Sequence, residues 1–176
     1  TRRSVRTYSD TPLTLPEAGQ LLWAAQGISD PNGFRTAPSA GALYPLELYL
    51  VVKSVDRLSP GIYHYLPTDH QLRLLSAGEV SDQLSGAALR QSAVKNAPAV
   101  IVLSAVPERT TARYGERGMQ YVFMEAGHAA QNVCLQAVAL DLGTVTIGAF
   151  DEDEVRTILN LPEHEIPLYL LPVGRP

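Results

Sequence analysis

The stretch Gln120-Tyr121-Val122-Phe123-Met124-Glu125-Ala126-Gly127-His128-Ala129-Ala130-Gln131-Asn132-Val133-Cys134-Leu135-Gln136-Ala137-Val138-Ala139-Leu140-Asp141-Leu142 is the longest regular signal in the sequence. Val122, Phe123, Ala126, Ala130, Val133, Ala137 and Leu140 recur at spacings of one, three and four, the period of a helix, and Gly143 closes the run. So many alanines and glycines on one helix imply close packing on more than one side. The pattern predicts a central helix, or one crossing a subunit partner.

Upstream of it, Pro98 to Ala105, apolar but for Ser104, lacks alternation and reads as a fully buried central strand. Leu46 to Lys53 is a second strand. Gly61–Leu66 and Gln71–Leu75 flank a Pro-Thr-Asp-His turn and read as a hairpin. Thr14-Leu15-Pro16-Glu17 opens a helix with a capping residue, a tolerated proline and a glutamate three residues on; Gly27 stops it. Ile28 to Leu43 reads as a long loop, and long loops in compact domains concentrate function. Val80 to Ser92 is predicted as one helix. Downstream come a short strand over Thr144–Ile147, a capped helix from Asp151 through Leu159, and a last strand over Leu168–Val173. Strands scattered among helices, with a hairpin and no steady βαβ alternation, predict an α+β fold in one domain over residues 1–176.

Composition removes several classes of function. The 176 residues are 45% hydrophobic, enough for a core without metal or disulfides, and carry a formal net charge of -4, which disfavours nucleic acid as a partner. The one cysteine, Cys134, cannot form an internal disulfide and reads as a small buried hydrophobe. No apolar run reaches the length of a membrane span, and Thr1-Arg2-Arg3-Ser4 leads into polar residues instead of a signal-peptide core, so the expected setting is cytoplasmic. Glycine-rich phosphate loops of the GxGxxG and GxxxxGK[ST] types are absent. The histidines lack metal-ligand spacing, and the lone Glu125-x-x-His128 element is half of what a di-iron bundle needs, so no metal site is expected.

Arg2-Arg3-Ser4-Val5-Arg6 places three guanidinium groups and a hydroxyl within five residues. In an extended chain Arg2, Ser4 and Arg6 project to one side, a credible grip for a phosphate. This run, followed by Tyr8-Ser9-Asp10, resembles the opening motif of the nitroreductase family. Pro38-Ser39-Ala40-Gly41-Ala42-Leu43-Tyr44-Pro45 resembles its second block, Glu125 to Asn132 its central-helix block, Ile147-Gly148-Ala149-Phe150 with Val155, Leu159 and Leu161-Pro162 the next, and Pro172-Val173-Gly174 the closing strand. The blocks come in the family's order and span nearly the whole chain. Gly61-Ile62-Tyr63-His64-Tyr65-Leu66-Pro67 is similar to a hairpin of the SagB-type and McbC-type dehydrogenase branch.

The resemblance implies a flavoprotein fold with a central, mostly antiparallel sheet surrounded by helices. It also implies an intertwined homodimer with FMN at the subunit interface. By the same resemblance Arg2, Arg3, Ser4 and Arg6 contact the FMN phosphate, ribityl chain and ring edge. Pro38, Ser39, Ala40 and Gly41 approach from the partner subunit, and Ile147, Gly148 and Ala149 lie against the ring near N5. Arg6 beside the ring would stabilise the charge that hydride uptake creates, and a backbone N–H of Gly148 or Ala149 suits N5. Arg175 is a candidate for the further cation that many family members add after the closing strand.

Azoline-forming members of the branch use a Lys-Tyr pair ahead of the central helix as acid and base. Here Tyr114 is retained as the candidate catalytic residue, but Arg113 stands where lysine is expected. Arginine does not release its proton at usable pH. The leading expectation is therefore hydride transfer from NAD(P)H through FMN to an electron-poor acceptor such as a nitroaromatic, quinone or flavin. The alternatives are azoline oxidation on a modified peptide held by a partner protein, and a flavin-binding scaffold without turnover.

Overall fold

The computed structural model describes residues 1–176. Helix α1 (Leu15–Gln26) opens on a full capping box: the Glu17 N–H donates to Thr14 Oγ1 at 3.3 Å and the Thr14 N–H to Glu17 Oε2 at 2.8 Å. Strand β1 (Leu46–Val52) follows the long loop, then the hairpin β2 (Gly61–Leu66) and β3 (Gln71–Ala77). Short helices α2 (Ser81–Ala87) and α3 (Ser92–Asn96) lead to strand β4 (Ala99–Ala105). Helix α4 (Glu108–Tyr114) precedes the long helix α5 (Arg117–Ala139), and β5 (Gly143–Thr144), α6 (Glu152–Leu159) and β6 (Ile166–Gly174) complete the chain.

The strands form one sheet in the order β3-β2-β1-β4-β6-β5, every neighbouring pair antiparallel. Alternation along β1 and β4 sorts two cores. Leu46, Leu48, Leu50 and Val52, with Ile101 and Leu103, face α1 and α5; Tyr49, Val51, Val100 and Val102 face the smaller helices α2, α3 and α6. Both faces are covered, which is why β4 is apolar at every position but Ser104 and buried throughout.

Three expectations change. The helix over Val80–Ser92 is two helices, because Leu89 (φ 55°) and Arg90 (φ 58°) are left-handed and the Arg90 N–H turns back to the Ser85 carbonyl at 2.8 Å. The central helix starts three residues earlier, at Arg117, and ends at Ala139; Asp141 is left-handed (φ 56°), and the Leu142 N–H closes the turn on Ala137 O. The strand over Thr144–Ile147 is a two-residue strand followed by a separate bridge from Ile147 to Leu170. Helix α4 was not expected at all; its sequence Glu-Arg-Thr-Thr-Ala-Arg-Tyr has no apolar period, and only Thr110 is buried.

Candidate active site

The N-terminal segment joins the sheet edge. Ser4 forms a parallel bridge with Thr144, and the Val5 N–H donates to Thr144 O at 3.0 Å. Gly143 permits this: a Cβ there would sit 2.6 Å from Val5 Cβ. The Tyr8 hydroxyl, 2.7 Å from Val5 O and 3.0 Å from Pro172 O, ties the segment to β6, and burial raises its pKa. Arg2, Arg3, Ser4 and Arg6 are left exposed, and none of the three arginines has a carboxylate partner. A cavity of about 190 Å³ lies beside Arg2, Arg3, Thr144 and Cys134. Burial pushes the Cys134 thiol up, and the charge of Arg2 partly offsets it.

The same segment continues from Thr144 to a turn with free donors. Ile147 is buried, and its N–H and carbonyl are both paired with Leu170 at 2.9 Å. Gly148 and Ala149 are exposed, and their N–H groups have no acceptor within the chain. Gln91 Nε2 donates to Ala149 O at 3.1 Å and the Asp151 N–H to Ala87 O at 2.8 Å, which anchors the turn on both sides. Nothing in the chain demands glycine at 148: a Cβ there would meet Tyr169 only at 3.7 Å.

The loop over Pro38–Tyr44 is a single 3-10 turn. The Tyr44 N–H donates to Ser39 Oγ at 2.9 Å and the Ala42 N–H to Ser39 O at 3.0 Å. Gly41 (φ 63°), Ala42 (φ 53°) and Tyr44 (φ 48°) are left-handed, a geometry that only the glycine adopts without strain. Against Gly41 come Tyr114 and Arg113: a Cβ on Gly41 would lie 2.9 Å from the Tyr114 hydroxyl and 3.0 Å from Arg113 Nη1. Helix α4 thus delivers Tyr114 to the turn that the sequence singled out.

Beneath that turn lies a buried polar group of residues that the sequence reading missed. Arg35 Nη1 donates to Gln26 Oε1 at 2.7 Å, its N–H to the Tyr44 hydroxyl at 3.2 Å, and its guanidinium lies 4.6 Å from the Tyr44 ring centroid. Glu125 is 2% exposed, and its Oε1, like Gln26 Nε2, has no hydrogen-bond partner. Burial pushes the Glu125 carboxyl up to about 7, against the opposing pull of Ser39 and Arg35. Nearby, Glu47 meets Arg109 at 2.6 Å and His64 at 2.8 Å. Burial pushes Glu47 up too, but those hydrogen bonds outweigh it and hold the carboxyl below its ordinary value. The missed signal for Glu125 was its place on α5, three residues after Val122 and four before Ala129, both fully buried.

Two groups of site residues emerge. Arg2 to Arg6 and the Thr144–Ala149 segment form one; Pro38 to Gly41 with Tyr114 form the other. No residue of the Pro38–Gly41 turn lines the cavity beside Arg2 and Arg3. Arg175 belongs to neither: its Nη2 meets Glu17 Oε1 at 2.6 Å at the start of α1, while its carbonyl accepts from the Ser9 N–H at 2.9 Å.

The fold is an α+β sheet with an arginine-bearing first segment paired to its edge, and the sequence matches the nitroreductase family over residues 1–175. The chain belongs to that family. A Methanocaldococcus jannaschii protein named as a nitroreductase is 50% identical over 99% of this chain and 87% of its own length. An Anabaena variabilis structure described as a nitroreductase superposes with TM-score 0.88 at 31% identity over all of this chain, which spans 37% of that longer one. A chain of the Escherichia coli microcin synthetase McbBCD complex with truncated pro-MccB17 bound gives TM-score 0.88 at 25% identity, covering 100% of this chain and 70% of that one. The NADPH:FMN oxidoreductase of Vibrio harveyi complexed with NAD+ shares the fold at TM-score 0.70 and 20% identity, over 99% of this chain and 65% of that one.

Proposed function

We propose that this protein binds FMN between two copies of the chain and passes hydride from NAD(P)H to an electron-poor small molecule. The observation that carries this reading is one continuous segment: Thr144 holds the strand bearing unpaired Arg2, Arg3 and Arg6, and four residues on, Gly148 and Ala149 present free N–H donors. The residues fit the cofactor. Unpaired guanidinium groups suit its phosphate, and an exposed glycine turn with two unspent donors suits a flat heteroaromatic edge. The family and the name of the Vibrio harveyi neighbour support the same choice of cofactor.

When bound, FMN supplies the hydride-accepting centre; the chain supplies position and charge. Arg2, Arg3 and Ser4 hold the phosphate end, and Arg6 places a fixed positive charge where negative charge develops. The Gly148 and Ala149 donors orient the ring edge. The Pro38–Gly41 turn, contributed by the second copy, closes the opposite side and leaves room for donor and acceptor in succession. The exposed face of α5, with Phe123, Met124 and Leu135 each more than half exposed, supplies the contact that brings the copies together.

Tyr114 supports a second reading, the oxidation of an azoline on a modified peptide, because its hydroxyl has no protein partner and stands beside Gly41. Arg113 beside it cannot take up a proton, so Tyr114 would act without a basic neighbour. A peptide-holding partner protein would then be required; the similar chain of the McbBCD complex was seen with truncated pro-MccB17 bound to that complex.

A visible absorbance spectrum of the purified protein, before and after anaerobic addition of NADH or NADPH, tests the main reading. A flavin spectrum that bleaches, and returns on adding a nitroaromatic or quinone, is the expected result. A colourless protein overturns the cofactor. A yellow protein that neither nucleotide bleaches overturns the donor and leaves the azoline reading or a flavin-binding scaffold.

A further inference from the structure

Three arginines in this protein lie over tyrosine rings, and they are not equivalent. The Arg35 guanidinium, half-buried over Tyr44, spends a donor on Gln26 and serves the fold. Arg113, 5.5 Å from the Tyr114 centroid, and Arg117, 5.6 Å from the Tyr121 centroid, are exposed and make no ion pair. Glu116, the carboxylate between them in sequence, pairs with neither. Arg109, one turn before Arg113, shows the contrast: it is held by Glu47 at 2.6 Å.

The platform under the free pair is rigid. Tyr114 and Tyr121 meet edge to face with centroids 5.1 Å apart at 89°. The α4–α5 corner is closed at Gly118, where a Cβ would lie 2.8 Å from Thr111 Cα. A guanidinium seated over a ring keeps donors free while its side chain is partly ordered, which lowers the entropy cost of gripping an oxyanion. Arg113 Nη1 reaches over the Gly41 turn, and neither tyrosine hydroxyl has a protein partner.

We propose that Arg113 and Arg117, seated on Tyr114 and Tyr121, form an oxyanion-recognition subsite beside Gly41 that selects a phosphate- or carboxylate-bearing reactant. The inference rests on the flavin reading above for its place at the mouth of the site. It gives Arg113 a task that lysine's point charge would perform less well, planar recognition of an oxyanion in place of proton transfer. Two reactants carry such a group: the dinucleotide, through its phosphates, and an acidic acceptor, through its carboxylate.

Titration calorimetry of the purified protein with NADP+, 4-nitrobenzoate and nitrobenzene tests it. In R113Q/R117Q, binding of NADP+ or 4-nitrobenzoate is expected to weaken about tenfold or more while nitrobenzene is unchanged, and R113K/R117K is expected to fall between. Loss confined to NADP+ assigns the subsite to the dinucleotide; loss confined to 4-nitrobenzoate assigns it to the acceptor. Unchanged binding of both anions, equal weakening of nitrobenzene, or a wild type that binds neither anion overturns the proposal. Unchanged thermal unfolding of the variants separates recognition from folding. The visible spectrum of the same sample reports flavin separately, so failure of the cofactor reading is seen apart from failure of the subsite.

Discussion

At the scale of single residues, the buried carboxyl of Glu125 is the most exposed to chemical test. Its ordinary value of 4.5 rises to about 7 in the fold, so the native state holds the proton more tightly than the unfolded chain. The stability this contributes is fully present below about 4.5 and is lost as pH rises through about 7. Glu125→Gln keeps a neutral side chain at every pH. The variant is therefore expected to be more stable than wild type at pH 8, by on the order of 1 to 3 kcal/mol, and nearly equal at pH 5. Denaturant unfolding at the two pH values reads this directly, and a variant destabilised equally at both would contradict it. Gly41 belongs to the same scale. Its left-handed backbone strains a side chain and the close approach of Tyr114 and Arg113 crowds one, whereas Gly148 is unconstrained by its own chain. The sequence presented both as loop glycines; only the packing separates an internal requirement from room left for something outside the chain.

At the scale of elements, the decisive contact is the short edge where residues 4–5 meet Thr144. A strand this short is held by few bonds, so its place depends on Gly143, whose missing side chain makes room for Val5. Gly143→Ala puts a methyl group 2.6 Å from Val5 Cβ and is expected to displace the arginine-bearing segment. FMN affinity should drop about tenfold or more, measured by equilibrium dialysis, with the far-ultraviolet circular dichroism of the helices retained. Unaltered affinity would show that the arginine segment is not the phosphate grip. Several elements were legible from local signals: α1 from Thr14 and Glu17, β4 from its apolar run over Ala99–Leu103, α6 from Asp151, whose carboxylate caps the Glu154 N–H at 2.9 Å. Helix α4 was not, because its buried side is a single threonine. The break at Leu89 and Arg90 was not, because no glycine or proline marks it.

At the scale of the whole molecule, α5 is packed on the sheet by Val122, Ala126, Ala129, Val133 and Ala137 and bare on its far side. Phe123, Met124 and Leu135, exposed by 54%, 52% and 54%, lie on that side with His128 and Gln131. Three large apolar side chains on one helix exceed what a solvated face ordinarily carries. The paired change F123E/L135E is expected to convert a dimer to a monomer in light scattering and to strip the flavin in the same step. A monomeric wild type, or a monomeric variant that keeps its flavin, would contradict the shared site. No helix of this protein is long and apolar enough to cross a membrane.

What the sequence determined by itself was local: the periods of helix and strand, the capping residues Thr14 and Asp151, the order of the blocks that place the chain among nitroreductases, and the row Arg2 to Arg6. Each is written in residues close together along the chain, where spacing alone fixes which side chains share a face. The tertiary structure decided what no spacing carries. It brought Tyr114 and Arg113 to Gly41 across more than seventy residues, took Arg175 to Glu17, and enclosed Glu125 beside Arg35 and Ser39. The first and last of those encounters follow from how α4 and α5 pack over the loop, the second from how the end of β6 meets the start of α1, and packing is a property of surfaces that meet only once the chain has folded.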